Sequence, residues 1–222
     1  NEFEFYYNIE EPDPDDESVP VLLQNNSIVT PFEAVTGMYS LPGRHDIDPT
    51  AILAPFYFLF FGLMLSDAAY GLILTTLCAI ILKKYKPEGT THRMIKMFMF
   101  CGLSTFMWGA LFGGWFGNFF TVAAKTFFGK EFVIRPLWFD PLSEPMRLLV
   151  VSLILGAIHL FVGMGVQAYM DIKDGRPLDA LFDIGLWYLL LIGIVLFAFG
   201  GKLCAGAVGI GKIMAIVGAV GI

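Results

Sequence analysis

Few side chains in this sequence could do chemistry within an apolar setting. Asp67 is the one charge in the 32 residues from Ala51 to Leu82. His159 and Gln167 sit eight residues apart in the uncharged stretch from Leu148 to Met170. An acid, an imidazole and an amide buried in lipid can bind or relay an ion, so these three are the candidates for an ion path. Each has a plainer reading. An aspartate at the centre of a membrane helix costs about 2.5–3.5 kcal/mol on insertion scales, and that cost can be offset in three ways: by capping a helix through free backbone N–H groups, by pairing with a cation elsewhere, or by contact with a transported ion. A His or Gln in hydrocarbon must find hydrogen-bond partners, and a neighbouring helix supplies them as well as an ion does.

Other chemistries have little support. Cys78, Cys101 and Cys204 each lie in an apolar run without a second Cys or His at metal-ligand spacing, so neither a disulfide framework nor a metal site is indicated. No cofactor is expected. The chain has no G-x-S-x-G elbow, no G-x-x-x-x-G-K-[ST] phosphate loop and no H-E-x-x-H helix, which sets soluble enzymes aside. Net acidity without a basic, aromatic-interleaved patch argues against nucleic acid as a partner. The formal charge of -6 belongs to one end, since 11 of the 20 acids precede residue 51.

The elements that must position these residues are membrane helices. With 56% hydrophobic residues, 22 phenylalanines and a mean hydropathy of +0.69, the composition is far from that of a soluble domain. An all-α, polytopic bundle of transmembrane helices is predicted. Residues 1–50 are polar, and the acidic, proline-containing run from Glu10 to Glu17 cannot order itself by burial. This segment is predicted to be an irregular linker or the tail of a preceding domain. The chain opens on Asn1 without a basic segment followed by a short apolar one, so no signal peptide is read there, and it is expected to be an interior piece of a longer protein.

The run from Ala51 to Leu82 is long for one upright helix and short for two. It fits either a strongly tilted helix or a hairpin of short helices, 51–66 and 68–83, broken near Ser66-Asp67. Further spans are predicted at 97–121, 148–170 and 182–201, with residues 203–222 the start of another, interrupted by Lys212. Lys83, Lys84, Lys86, Arg93 and Lys96 mark the connection between the first and second runs as cytoplasmic. Gly175-Arg176-Pro177 is a breaker joining antiparallel helices, and Asp179 and Asp183 suit the start of the span that follows. A single first helix would put the acidic tail outside; a hairpin would put it in the cytoplasm.

Two faces are marked for close packing. Thr105, Gly109, Gly113 and Gly117 recur every four residues and would form one smooth stripe. Ser152, Gly156, His159, Gly163 and Gln167 recur every three or four, placing small and polar groups on one face of the third run.

Specific strings then carry a resemblance. Thr30-Pro31-Phe32-Glu33, Tyr39-Ser40-Leu41-Pro42, Asp48-Pro49-Thr50 and Phe61-Gly62-Leu63-Met64-Leu65-Ser66-Asp67-Ala68-Ala69-Tyr70-Gly71 resemble the start of the membrane domain of subunit I of prokaryotic V/A-type rotary ATPases, the counterpart of vacuolar ATPase subunit a. The stretch from Phe139-Asp140-Pro141-Leu142 through Gly156-Ala157-Ile158-His159 to Gly163 is similar to the same family's outer loop and following helix. The resemblance covers about residues 28–175; it departs at Ser66 and Ala68, where the family commonly has glycine beside the aspartate.

The resemblance implies a stator subunit in a prokaryotic cell membrane, with a cytoplasmic N-terminal domain and about eight membrane helices beside a rotor ring of proteolipid subunits. Lipid, the ring, the peripheral stalk and other stator subunits are then the partners. It also implies that 51–83 is a pair of short helices, which puts residues 1–50 in the cytoplasm with the basic loop. H+ or Na+ would cross through two half-channels separated by an essential arginine. No residue here matches that arginine, which is expected beyond Ile222. A stand-alone transporter or channel, or a purely structural anchor, is the competing reading. A transporter would need broken helices and polar groups gathered at midplane, and Asp67, His159 and Gln167 are few and scattered.

Overall fold

Within the apolar stretch that begins at residue 51, the chain breaks where its one charge falls. In a computed structural model, which describes residues 21–43, 46–129, 134–202 and 206–222, helix α2 (Thr50–Leu65) ends at Ser66 in a left-handed conformation, φ 37° and ψ 41°. Helix α3 (Ala68–Tyr85) starts at once, with Asp67 as its N-cap. The described residues are helical and contain no strand. Among the described residues four helices are long and apolar enough to cross a membrane: Ala68–Tyr85, Gly89–Phe112, Pro145–Lys173 and Pro177–Ala198. The chain divides into two compact units, Asn1–Ser143 and Glu144–Ile222.

In the first unit α2 and α3 both pack on α4 (Gly89–Phe112). Ala54 shares a cluster with Met97 and Cys101, and Gly62 meets Ser104 and Trp108 further along, so α2 runs parallel to α4. Gly71 meets Gly102 and Phe106, and Ala68 meets Gly109, so α3 returns antiparallel to it. The two arms of the predicted hairpin thus hold α4. Gly71, Gly102 and Gly109 make this possible: a Cβ at Gly71 or Gly109 would overlap the backbone nitrogen of Phe106 or Ala68.

The predicted stripe is therefore only partly a helix face. Thr105 and Gly109 lie on α4, but Gly113 (φ 74°) and Gly117 (φ 63°) fall beyond its end in left-handed conformations. The predicted span 97–121 accordingly ends at Phe112 and instead begins at Gly89, giving 24 residues, about 36 Å at 1.5 Å per residue. The remainder of that uncharged run forms a separate ten-residue helix, α5 (Phe119–Phe128).

Among the described residues before α2, 27–39 form a turn, a 3-10 turn and a short helix. The acidic run 10–17 lies outside the described residues. A 3-10 turn (Thr30–Phe32) leads into α1 (Glu33–Tyr39), which sets Phe32 and Val35 on one face, buried with Ala54, Met97 and Cys101. Glu33 is buried, pairs with Arg93 at 3.0 Å and accepts from Asn25 at 3.0 Å. Thr36 and Thr50 share a buried hydroxyl hydrogen bond of 2.8 Å. Burial pushes the Asp48 carboxyl up, but hydrogen bonds from Thr50 and Asn25 outweigh it and hold the group below its ordinary value.

In the second unit, α6 (Pro145–Lys173) is followed by a short α7 (Pro177–Asp179), a π-helical stretch (Ala180–Gly185) and α8 (Leu186–Phe199). Helix α9 (Ala207–Gly221) folds back along α8. Gly193 meets Ala215, Gly211 meets Leu196 and Phe197, and Gly218 meets Leu190, so the two helices are antiparallel and nearly backbone to backbone. Residues 203–205, including Cys204, lie outside the described residues.

Candidate functional site

Asp67 is 8% exposed. Its local role follows from being an N-cap: Oδ1 accepts from the Ala69 and Tyr70 amides at 3.0 and 3.2 Å, satisfying two of the donors that any helix start leaves free. Its long-range role comes from the chain after α4. There the backbone turns through Gly113, Phe116 (φ 52°) and Gly117, all left-handed, and presents two more amides. Phe116 donates to Oδ1 at 3.1 Å and Gly117 to Oδ2 at 2.7 Å. Ala68 N–H donates to Gly114 O at 2.8 Å in the same place.

One carboxylate therefore fastens two turns, 66–67 and 113–117, by four N–H bonds. A carboxylate offers about four lone-pair sites, so its acceptor capacity is largely used. Gly117 holds φ 63° at this turn, a conformation that glycine adopts freely.

Beside this pin lies a cavity of about 370 Å³, bounded by Ser66, Asp67, Asn118, Thr121, Pro136 and Asp140 among others. Aromatic rings crowd the same end of the unit: Phe112 contacts Phe139 at 5.0 Å, and Tyr70 contacts Phe116 edge-on at 5.1 Å. The loop closes back on α4 through Trp138 N–H to Leu111 O at 3.0 Å. The Asp67 turn thus joins the ends of α2 and α3 beside the end of α4.

Of the three ion-path candidates, Asp67 belongs to the first unit and His159 and Gln167 to the second. His159 is exposed on α6. Gln167 donates to Asp171 at 3.3 Å, and Asp171, only 6% exposed, also receives Arg176 at 3.3 Å. Arg176 reaches Asp174 and Asp179 at 3.6 and 3.7 Å. Gln167 is therefore part of a charged cluster that closes the turn after α6. The sequence marks Gly175-Arg176-Pro177 as a breaker, but the pairing of Arg176 with Asp171 across it is not legible from residue types alone. Tyr188 O–H donates to Phe161 O with the two rings stacked at 5.0 Å, tying α8 to α6. A Cβ at Gly156 or Gly163 would meet nothing within 4 Å. Among the described residues no cluster of His, Cys, Asp or Glu could hold a metal ion.

Long apolar helices, glycine-lined seams and an acid committed to backbone amides define a polytopic α-helical membrane protein. No family model matches the chain. Known proteins do: it is 35% identical to the A-type ATP synthase subunit I of Methanocaldococcus jannaschii, covering 95% of this chain and 34% of that protein. With the subunit of the same name from Pyrococcus horikoshii it shares 34% identity over 97% of this chain and 33% of the relative. The V-type ATP synthase subunit I of Chlamydia trachomatis is 31% identical over 48% of the chain. The chain belongs to the ATP synthase subunit I family and spans about a third of the length of the relatives it matches.

Proposed function

We propose that the chain is the first part of the membrane domain of a rotary ATPase stator subunit, embedded in a prokaryotic cell membrane. In this reading residues 1–50 link a cytoplasmic N-terminal domain to the membrane domain, which starts at 51. The observation that supports it most is the colinear match of nearly the whole chain to subunit I, combined with four helices fit to cross a membrane.

The role follows from what the geometry can and cannot do. A stator must hold a fixed charge against rotor carboxylates so that each releases its H+ or Na+ before passing. Among the described residues the short apolar helices α5 and α9 hold one lysine each, Lys125 and Lys212, and no arginine lies near the centre of any apolar helix, so this part acts as the frame that places the ion-handling helices. Asp67 acts in that frame as a fastener between two turns. A proteolipid ring, a peripheral stalk and the other stator subunits are the partners proposed.

The test is affinity isolation of the tagged full-length protein from its own membranes in mild detergent. Recovery of a proteolipid ring in stoichiometric amount is expected. Ion flux from the purified subunit alone in vesicles, with no ring recovered, would instead establish a stand-alone transporter or channel.

A further inference from the structure

At the end of the first unit opposite the Asp67 turn, α3 ends and α4 begins, and the segment 27–31 crosses beside them. Between these lies a cleft of about 510 Å³, lined by Ser27, Thr30, Glu88, His92, Arg93 and Lys96 with two prolines and Gly89. We propose that this cleft seats the phosphate headgroup of an anionic membrane lipid.

Charge is the first argument. From residue 83 to 96 there are five bases, Lys83, Lys84, Lys86, Arg93 and Lys96, against one acid, Glu88. Arg93 and Lys96 lie on the cleft wall itself. Each has one donor engaged: Arg93 pairs with Glu33 at 3.0 Å, and Lys96 donates to Ser27 O at 2.9 Å. These contacts fix the two side chains in place. Guanidinium carries five N–H groups and ammonium three, so most remain for a phosphate, and the Arg93 side chain keeps 45% of its surface open while Glu33 keeps 4%.

Depth in the membrane is the second argument. Lys83 and Lys84 close the last turn of α3, and the uncharged part of α4 starts at Met97, so the cleft sits where apolar helix gives way to charge, which is the level of lipid phosphates. Just beyond it Leu77 and Ile80 on α3 are 53% and 51% exposed, giving acyl chains a surface to lie on. Finally, no side chain caps the first turn of α4, which opens on this cleft at Glu88 and Gly89, and free amides there favour an anion.

The inference needs only that α3 and α4 cross the bilayer; it does not depend on a rotor partner. The full-length protein is exchanged into nanodiscs of phosphatidylglycerol or phosphatidylcholine, and lipid retained on release into the gas phase is counted by native mass spectrometry. Phosphatidylglycerol is expected to stay bound in preference to phosphatidylcholine. Arg93→Gln with Lys96→Gln should cut retention by roughly five-fold for each charge removed. His92→Glu adds a carboxylate to the cleft without touching the Glu33 pair and should also lower retention, which separates lost binding from lost folding. Equal retention of the two lipids, or retention unchanged in both variants, overturns the proposal. Displacement of the lipid by inorganic phosphate at matched ionic strength would make this a free-phosphate site and overturn it as a lipid seat.

Discussion

Asp67 shows how an expensive residue becomes a structural one. Its carboxylate receives amides from Ala69, Tyr70, Phe116 and Gly117, and charge-assisted hydrogen bonds of this kind contribute about 1.5–3 kcal/mol each where water is scarce. Asp67→Asn keeps the shape but sets an NH2 group against at least one backbone N–H. We expect it to destabilise the protein by about 2–4 kcal/mol, read as a fall in Tm in detergent. Normal Tm with blocked ion flux in the assembled complex would assign Asp67 to the ion path instead. Its neighbour Ser66 is left-handed, a conformation that costs most residues about 1–2 kcal/mol and glycine almost nothing. Ser66→Gly is expected to raise stability by about 1 kcal/mol, and Ser66→Val to lower it, by the same melting measurement.

Among the elements, packing is unevenly distributed, and glycine substitutions should report it. Gly211 touches the α8 backbone at Leu196 and Phe197, whereas Gly156 on α6 faces open space. Gly211→Ile should force α8 and α9 apart and clearly lower Tm in detergent, because its side chain would overlap the α8 backbone. Gly156→Ile should leave Tm nearly unchanged. An equal fall in both variants would contradict the assignment of Gly211, and not Gly156, to a packed seam.

These contrasts also separate what could be read in the sequence from what could not. The break at 66–67 was legible because a single charge interrupts an apolar run. The end of α4 at Phe112 was not, because 97–124 has no charge to mark it; the stop comes from left-handed backbone at Gly113 and from the Asp67 carboxylate drawing in the next turn, a contact 50 residues distant. The α8–α9 seam was also missed, though Gly211 and Gly218, seven residues apart, carried a weak signal. Glu33 and Arg93 were visible as residues, but their pairing depends on α1 docking against α4, which polarity alone hides.

For the whole molecule, the first unit places its polar groups at two ends. One end holds Glu33, Arg93, Lys96 and the basic 83–96 connection; the other holds the Asp67 pin and its aromatic surround. Helix α4, at about 36 Å by helical rise, is long enough to hold those ends on opposite sides of a hydrocarbon layer about 30 Å thick. Helices α2 and α3 pack on α4 as one unit, which is the frame proposed above for a rotor to turn against. The resident Cys78 and Cys101 are buried, so they interfere little with labelling from either side.

The most direct measurement is side-specific labelling in sealed membranes with a membrane-impermeant maleimide, using single cysteines at Thr90 and at Asn118 in a Cys204→Ser background. Reaction of position 90 from the cytoplasmic side only, and of position 118 from the opposite side only, is expected for a frame whose helices cross the bilayer between those points. Labelling of both positions from the same side would show that α4 does not traverse the membrane, and the proposed frame would be wrong.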